Sequence, residues 1–308
     1  MKPKARCSKG DTTVVATEML NTRSSGGCSV ETVRHVKKRS LATRYGALYN
    51  CDCLELMKII KDKSIDCIFA DPPFNLGKDY GNGSNDRLPK SEYLSWSYSW
   101  MNECFRLLTE GGALFIYCLP KWAYLFASYL DQMLTFRHWI AVSMKNTFRR
   151  GRRLYPAHYA LLYFTKGEPR AFNRLRVPIP RCKKCNAEIK DYGGHRKHLN
   201  SRGLNLTDFW EDTSPVRHRK YKFREFNELK PMIPERCIKI STRRGDLVFD
   251  PFGGGGSTYE AAEALNRYWI GCELASCRPI IRRMKTRFPE SIRRNVPNRV
   301  KRAFVGSY

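Results

Sequence analysis

The sequence predicts an α/β fold with a mostly parallel sheet. Three observations predict it. Short apolar runs end in Asp-Pro or glycine clusters, amphipathic helices separate them, and the two alternate over residues 44–167 and again over 227–288. The pattern breaks over residues 168–226, which are basic and carry Pro, Gly, Cys and His without clear periodicity. That stretch reads as an insertion with its own function. Residues 1–43 read as a basic disordered arm and 289–308 as a basic tail.

Each element has its own signal. "SIDCIFA" is a buried strand ending at Asp71. Residues 82–91 are polar and Gly/Asn-rich, a mobile loop. Ser91 is a candidate N-cap for a helix carrying Leu94, Tyr98, Met101, Phe105 and Leu108 at helical spacing, which Gly111 and Gly112 end. "ALFIYC" is the next strand, "WAYLFASYLDQML" a helix, and "WIAVSMK" and "HYALLYFTKG" two further strands. After the insertion, "PERCIKIS" is a helix, "DLVF" a strand, "STYEAAEAL" a helix and "YWIGCEL" a strand.

The chain has 308 residues and a formal net charge of +27. The cations cluster: twelve Lys/Arg and one acid from Lys145 to Lys184, and ten Lys/Arg and one acid from Arg278 to Arg302. "VRHRKYKFREF", Val216 to Phe226, interleaves cations with aromatic rings. Together these runs favour a polyanion, and nucleic acid is the natural partner. No apolar run approaches the ~20 residues that span a bilayer. The twelve cysteines are scattered, and most sit in apolar runs, as small core residues of a reducing compartment do.

Two stretches carry chemistry. In "FDPFGGGGST", Phe249 to Thr258, a strand runs into glycines and then a helix, with Ser257 and Glu260 at capping-box spacing. Glu273 ends the next strand about 20 residues on, where an acid grips ribose hydroxyls in nucleoside-binding folds. No Gly-Lys-Ser/Thr follows and the full G-x-G-x-x-G is absent, so neither a P-loop nor a dinucleotide site is indicated. A nucleoside cofactor without a phosphate chain remains, and S-adenosylmethionine fits. In "IFADPPFNLGKDY", Asp71 follows a strand, Pro72 and Pro73 stiffen the turn, and Phe74 supplies a flat face. A carboxylate, a free carbonyl and a ring suit a planar group bearing an exocyclic amine. Acceptors on both N–H groups favour a pyramidal nitrogen and free its lone pair for in-line attack on a methyl.

"DPPF" at Asp71 to Phe74 together with "FDPFGGGGST" resembles the amino-methyltransferases of DNA, which methylate adenine N6 or cytosine N4 with S-adenosylmethionine. The order of catalytic motif, basic insertion and cofactor motif is that of the family's permuted beta group. The resemblance covers roughly residues 45–285 and implies a Rossmann-like methyltransferase domain. It implies that Asp71 and the Pro72 carbonyl accept from the amine, that Pro73 completes the motif, and that Phe74 stacks on the base. It implies that Asp250, Phe252, Gly254, Gly256 and Ser257 frame the cofactor, that Glu273 holds its ribose and that Asp52 reads its adenine edge. Phe74 stands where Tyr is usual, and Gly255 where Ser is common. The usual Lys-Pro motif is poorly matched by "NELKPM", which is assigned no contact. A duplex hides its amines, so the base must flip out.

The insertion lies where this group keeps its target-recognition region. Cys182 and Cys185 are followed, after nine intervening residues, by His195 and His198, which reads as a structural zinc site; H-x-x-H is one residue tighter than the usual finger spacing. Within the family that the chain resembles, Asp before Pro-Pro is the adenine-type signature, so the resemblance implies adenine N6 methylation in double-stranded DNA, with cytosine N4 as the alternative. RNA or protein amide methylation and an inactive DNA-binding relative are the rival classes. A homodimer and a separate cognate restriction endonuclease are plausible by analogy. The expected location is cytoplasmic, nucleoid-associated in a bacterium and nuclear in a eukaryote.

Overall fold

A computed structural model of the chain describes residues 39–78, 86–144, 154, 156–179, 181–182, 184–188, 193–212, 223 and 228–306, with the side chains of His195 and Arg196 excepted. The expected disordered arm, most of the expected mobile loop and most of the basic run 216–226 lie outside these residues.

Chain order begins with β1 (Arg39–Ala42), β2 (Gly46–Tyr49), α1 (Cys53–Lys58) and β3 (Ile65–Ala70). Then come α2 (Lys90–Leu107), β4 (Leu108–Cys118), α3 (Pro120–Leu130), β5 (Thr135–Ser143) and β6 (His158–Thr165). The insertion holds β7 (Arg176–Val177), β8 (Leu204–Asn205) and β9 (Phe209–Trp210). The chain closes with α4 (Met232–Ser241), β10 (Leu247–Asp250), α5 (Ser257–Ala264), β11 (Tyr268–Cys272), α6 (Arg278–Arg287) and α7 (Asn298–Lys301).

Nine described strands form one sheet in the order β1-β2-β11-β10-β3-β4-β6-β5-β9. The block β2-β11-β10-β3-β4 is parallel throughout. β1 and β6 run antiparallel to their neighbours, so the sheet is mixed rather than simply parallel. Each face buries its own core. Leu56, Trp100, Phe126 and Val300 pack on one side, from α1, α2, α3 and α7. Ile238, Tyr259 and Ile280 pack on the other, from α4, α5 and α6.

The connection β10–α5–β11 leads one way along the sheet and β3–α2–β4 the other. The boundary between β10 and β3 is therefore a topological switch point, where open α/β sheets bind ligands at the carboxyl ends of their strands. Residues distant in sequence meet there, with Phe249 opposite Ile68.

Several local expectations change. The N-cap of α2 is Pro89, and Ser91 lies inside the helix. Gly111 and Gly112 belong to β4, because the helix gives way directly to strand at Leu108. The expected tail packs: Val296, Val300, Ala303 and Phe304 are buried, and the Val305 N–H donates to the Ile59 carbonyl at 2.8 Å. Its apolar residues outweigh its charge. The insertion is not wholly separate either, since β9 pairs with β5 and buries Trp210 in the main core.

Candidate active site

β3 delivers Asp71, and the two prolines after it have no N–H with which to continue a ladder. The turn is held from outside instead. The Tyr93 hydroxyl donates to the Pro73 carbonyl at 2.7 Å, and Trp122 Nε1 donates to the Phe74 carbonyl at 2.8 Å. The next residues are stapled by Asp86, whose carboxylate accepts from the backbone N–H groups of Asn75, Leu76 and Lys78 at 2.9–3.0 Å. Asn75 adds a two-way bond to the Leu88 backbone.

Phe74 does not stand alone. Its ring lies 6.2 Å from that of Tyr117 and 6.0 Å from that of Tyr159, which are 4.9 Å from each other. Tyr117 is next to last in β4 and Tyr159 second in β6, and the antiparallel pairing of those strands brings both rings to one end of the sheet. Burial pushes both phenols above their usual range, and the Asp71 carboxylate facing them pushes further. Neither tyrosine was singled out from sequence. Their only signal was position, near the end of one strand and near the start of its neighbour.

β10 delivers Asp250, 3% exposed, which accepts from the Phe252 N–H at 2.9 Å. Burial raises its carboxyl well above the usual range. Hydrogen bonds from Thr258 and the Phe252 N–H oppose this, and the nearby Asp71 and Glu273 charges add to it. Glu273, just past β11, accepts from the Gly254 N–H at 2.6 Å and the Ala275 N–H at 2.8 Å, tying the glycine loop to the strand end. Phe252 lies against Trp96 and Trp100. Gly254 and Gly256 both have positive φ, which glycine adopts without steric cost.

Two expectations at this loop differ. Ser257 does not cap α5. The N-cap is Gly256 in the left-handed region, so the Ser257 hydroxyl donates to the Leu229 carbonyl at 2.6 Å, and Glu260 pairs with Arg283 instead. The segment Glu228–Lys230, assigned no contact from sequence, lies on the glycine loop. A side chain at Gly255 would press on the Glu228 stem, which accounts for glycine where Ser is common. Glu228 in turn pairs with buried Arg283 and accepts from the Phe223 N–H at 2.8 Å, so the end of the insertion is pinned beside the loop. Asp52 caps α1, its Oδ1 accepting from the Leu54 N–H at 2.8 Å.

In the insertion, Cys182 and Cys185 flank a tight turn. The Asn186 N–H donates to the Cys182 carbonyl and the Cys182 N–H to the Ala187 carbonyl, both at 2.9 Å. Backbone N–H groups of Cys185 and Lys184 lower the Cys182 thiol from its usual value. Of the four expected ligands, Cys182, Cys185 and His198 have described side chains, and these three are not gathered on one metal position. Among the described residues no three His, Cys, Asp or Glu side chains converge on a metal position, and the His195 side chain lies outside them.

Three acids thus gather at the switch point of a chain whose net charge is +27. Such a cluster suits a cationic ligand, and the rings beside it suit a planar one. A family model described as DNA methylase, of the N6/N4 type, matches residues 65–278. The chain belongs to this DNA methylase family. Type II methyltransferase M.BamHI of Bacillus amyloliquefaciens is 50% identical over 246 residues, 80% of this chain and 58% of that protein. M.HpaI of Haemophilus parainfluenzae is 33% identical, over 72% of this chain and 68% of its own length. The chain therefore spans little more than half of the first relative and about two thirds of the second. Among solved structures, the PvuII DNA methyltransferase (cytosine-N4-specific) matches 84% of this chain and 92% of its own, with a TM-score of 0.57 and 18% identity. This likeness concerns the fold. In this member of the family, the Asp-Pro-Pro-Phe and glycine-rich stretches follow β3 and β10, which lie side by side in the sheet.

Proposed function

We propose that this chain methylates the exocyclic amine of a base flipped out of double-stranded DNA, and that the base is adenine, modified at N6. One observation carries the reading: Asp71, Asp250 and Glu273 sit at adjoining strand ends, beside the aromatic wall of Phe74, Tyr117 and Tyr159. S-adenosylmethionine, when bound, supplies a methyl group on a sulfonium, whose C–S bond breaks with its electron pair going to sulfur. Asp250, Phe252, Gly254, Gly256, Ser257 and Glu273 would hold it, with Asp52 at its adenine end. Phe74 stacks on the flipped base. Asp71 and the Pro72 carbonyl accept from the amine, freeing the nitrogen lone pair for the new N–C bond. One N–H proton leaves to water by way of Asp71.

Asp71 favours adenine. Cytosine N4 is the second reading, favoured by the cytosine-N4-specific name of the PvuII enzyme that shares the fold. Hydrolysing modified DNA to nucleosides and weighing them decides: N6-methyladenine is expected, and N4-methylcytosine alone overturns the adenine reading. A structural zinc is a separate proposal, supported by the Cys182–Cys185 turn with its N–H groups aimed at sulfur. About one zinc per chain is expected by elemental analysis, falling in Cys182→Ser. A zinc-free active protein would leave the pair as plain thiols.

A further inference from the structure

We infer that Tyr93 and Trp122 are positioning residues that decide which carbonyl of the catalytic turn receives the amine; this rests on the amine-methylation reading above. The turn Asp71–Phe74 exposes three successive carbonyls after its acid, those of Pro72, Pro73 and Phe74. Two of these residues are prolines, so local N–H donors are scarce, and a buried carbonyl without a partner is costly. Tyr93 supplies the Pro73 carbonyl and Trp122 the Phe74 carbonyl. Pro72 is itself buried, and among the described residues no donor is assigned to its carbonyl. Among the described residues, the acceptor left over is adjacent to Asp71, so the two acceptors an amine requires are neighbours in the chain.

The two donors are built to stay in place. Tyr93 lies in the first turn of α2 and is 2% exposed; Trp122 lies in the first turn of α3 and is 7% exposed. Their rings pack 4.6 Å apart, and Phe126 lies 6.2 Å from Tyr93. Both side chains end on backbone carbonyls of the turn, so they are positioning rather than catalytic residues. They act by fixing the backbone to which Asp71 and Phe74 belong. With either donor gone, the Pro73 or Phe74 carbonyl competes for solvent or for the amine, and the turn relaxes from the geometry in which the Pro72 carbonyl faces it.

Tyr93→Phe and Trp122→Phe each remove one donor and keep an aromatic ring. Methyl transfer is measured on duplex DNA well below each variant's melting temperature, per cofactor-binding site counted by calorimetry. Each variant is expected to lose about fivefold to tenfold in kcat, the worth of one hydrogen bond. The cofactor Kd and the KM for DNA should stay at the parent values. A merely structural role would lower the melting temperature and the number of binding sites but leave kcat per site unchanged, and that result overturns the inference. So does a loss matched by weaker cofactor binding. Asp71→Ala in the same assay separates the two levels. If it retains activity, the underlying reading fails; if it abolishes transfer while both Phe variants keep full kcat, only the positioning inference fails.

Discussion

Replacing Asp71 with alanine is expected to lower methyl transfer at least about 10²–10³-fold, as loss of a preorganised electrostatic group does elsewhere. The exocyclic amine of a base is a poor nucleophile because its lone pair is delocalised into the ring. A fixed carboxylate draws on an N–H group and restores that pair to nitrogen, and the Pro72 carbonyl alone cannot do as much. Binding should survive. Removing a negative charge from a surface that receives a polyanion weakens nothing in the association and should tighten DNA slightly at low salt. The substitution carries its own internal check. Tyr117 and Tyr159 owe part of their raised phenol titration to Asp71, after the larger effect of burial. In Asp71→Ala both phenols should therefore titrate lower, which ultraviolet difference spectra detect without any substrate. Transfer of labelled methyl groups within about tenfold of the parent would sink the assigned role.

What sequence made legible was local and chemical. Asp-Pro-Pro-Phe ends β3 because two prolines must end a strand, and the glycine run after Asp250 must open a turn. Both could be read without a structure. The strand order could not. That β10 lies beside β3 depends on pairings across about 180 residues, and no periodicity reports them. The same limit hid Tyr117, Tyr159, Tyr93 and Trp122. Each occupies an ordinary apolar position in its own element and gains meaning only from the neighbour it meets. Charge misled in the other direction. Residues 289–306 look like a basic tail, yet a few well-spaced apolar side chains seat them in the core. The capping-box reading failed because tertiary partners, Leu229 for Ser257 and Arg283 for Glu260, took both side chains.

Cofactor affinity is expected to rise with pH, with Asp250 setting the slope. In the free chain its carboxyl titrates well above the usual range. Burial is the first cause, and the charges of Asp71 and Glu273 add to it against the hydrogen bonds from Thr258 and Phe252. A sulfonium and an ammonium placed among these acids favour the ionised carboxylate, so binding expels a proton wherever Asp250 starts protonated. The dissociation constant should then fall by up to about tenfold per pH unit below that titration and level off above it. Calorimetry in two buffers of different ionisation heat reads the released proton directly. The stability of the free chain should run the opposite way. An unfolded Asp titrates near pH ~3.9. The folded carboxyl holds its proton more tightly, so its contribution to stability is complete below that value and is lost as pH rises through the folded one. Asp250→Asn imitates the protonated form and keeps an acceptor for the Phe252 N–H. Near neutral pH it should leave the free chain at least as stable as the parent, weaken the cofactor about 10- to 100-fold and flatten the pH dependence. A parent whose affinity is flat from about pH 5 to 8 and which releases no proton would remove Asp250 from the electrostatics of the cofactor site.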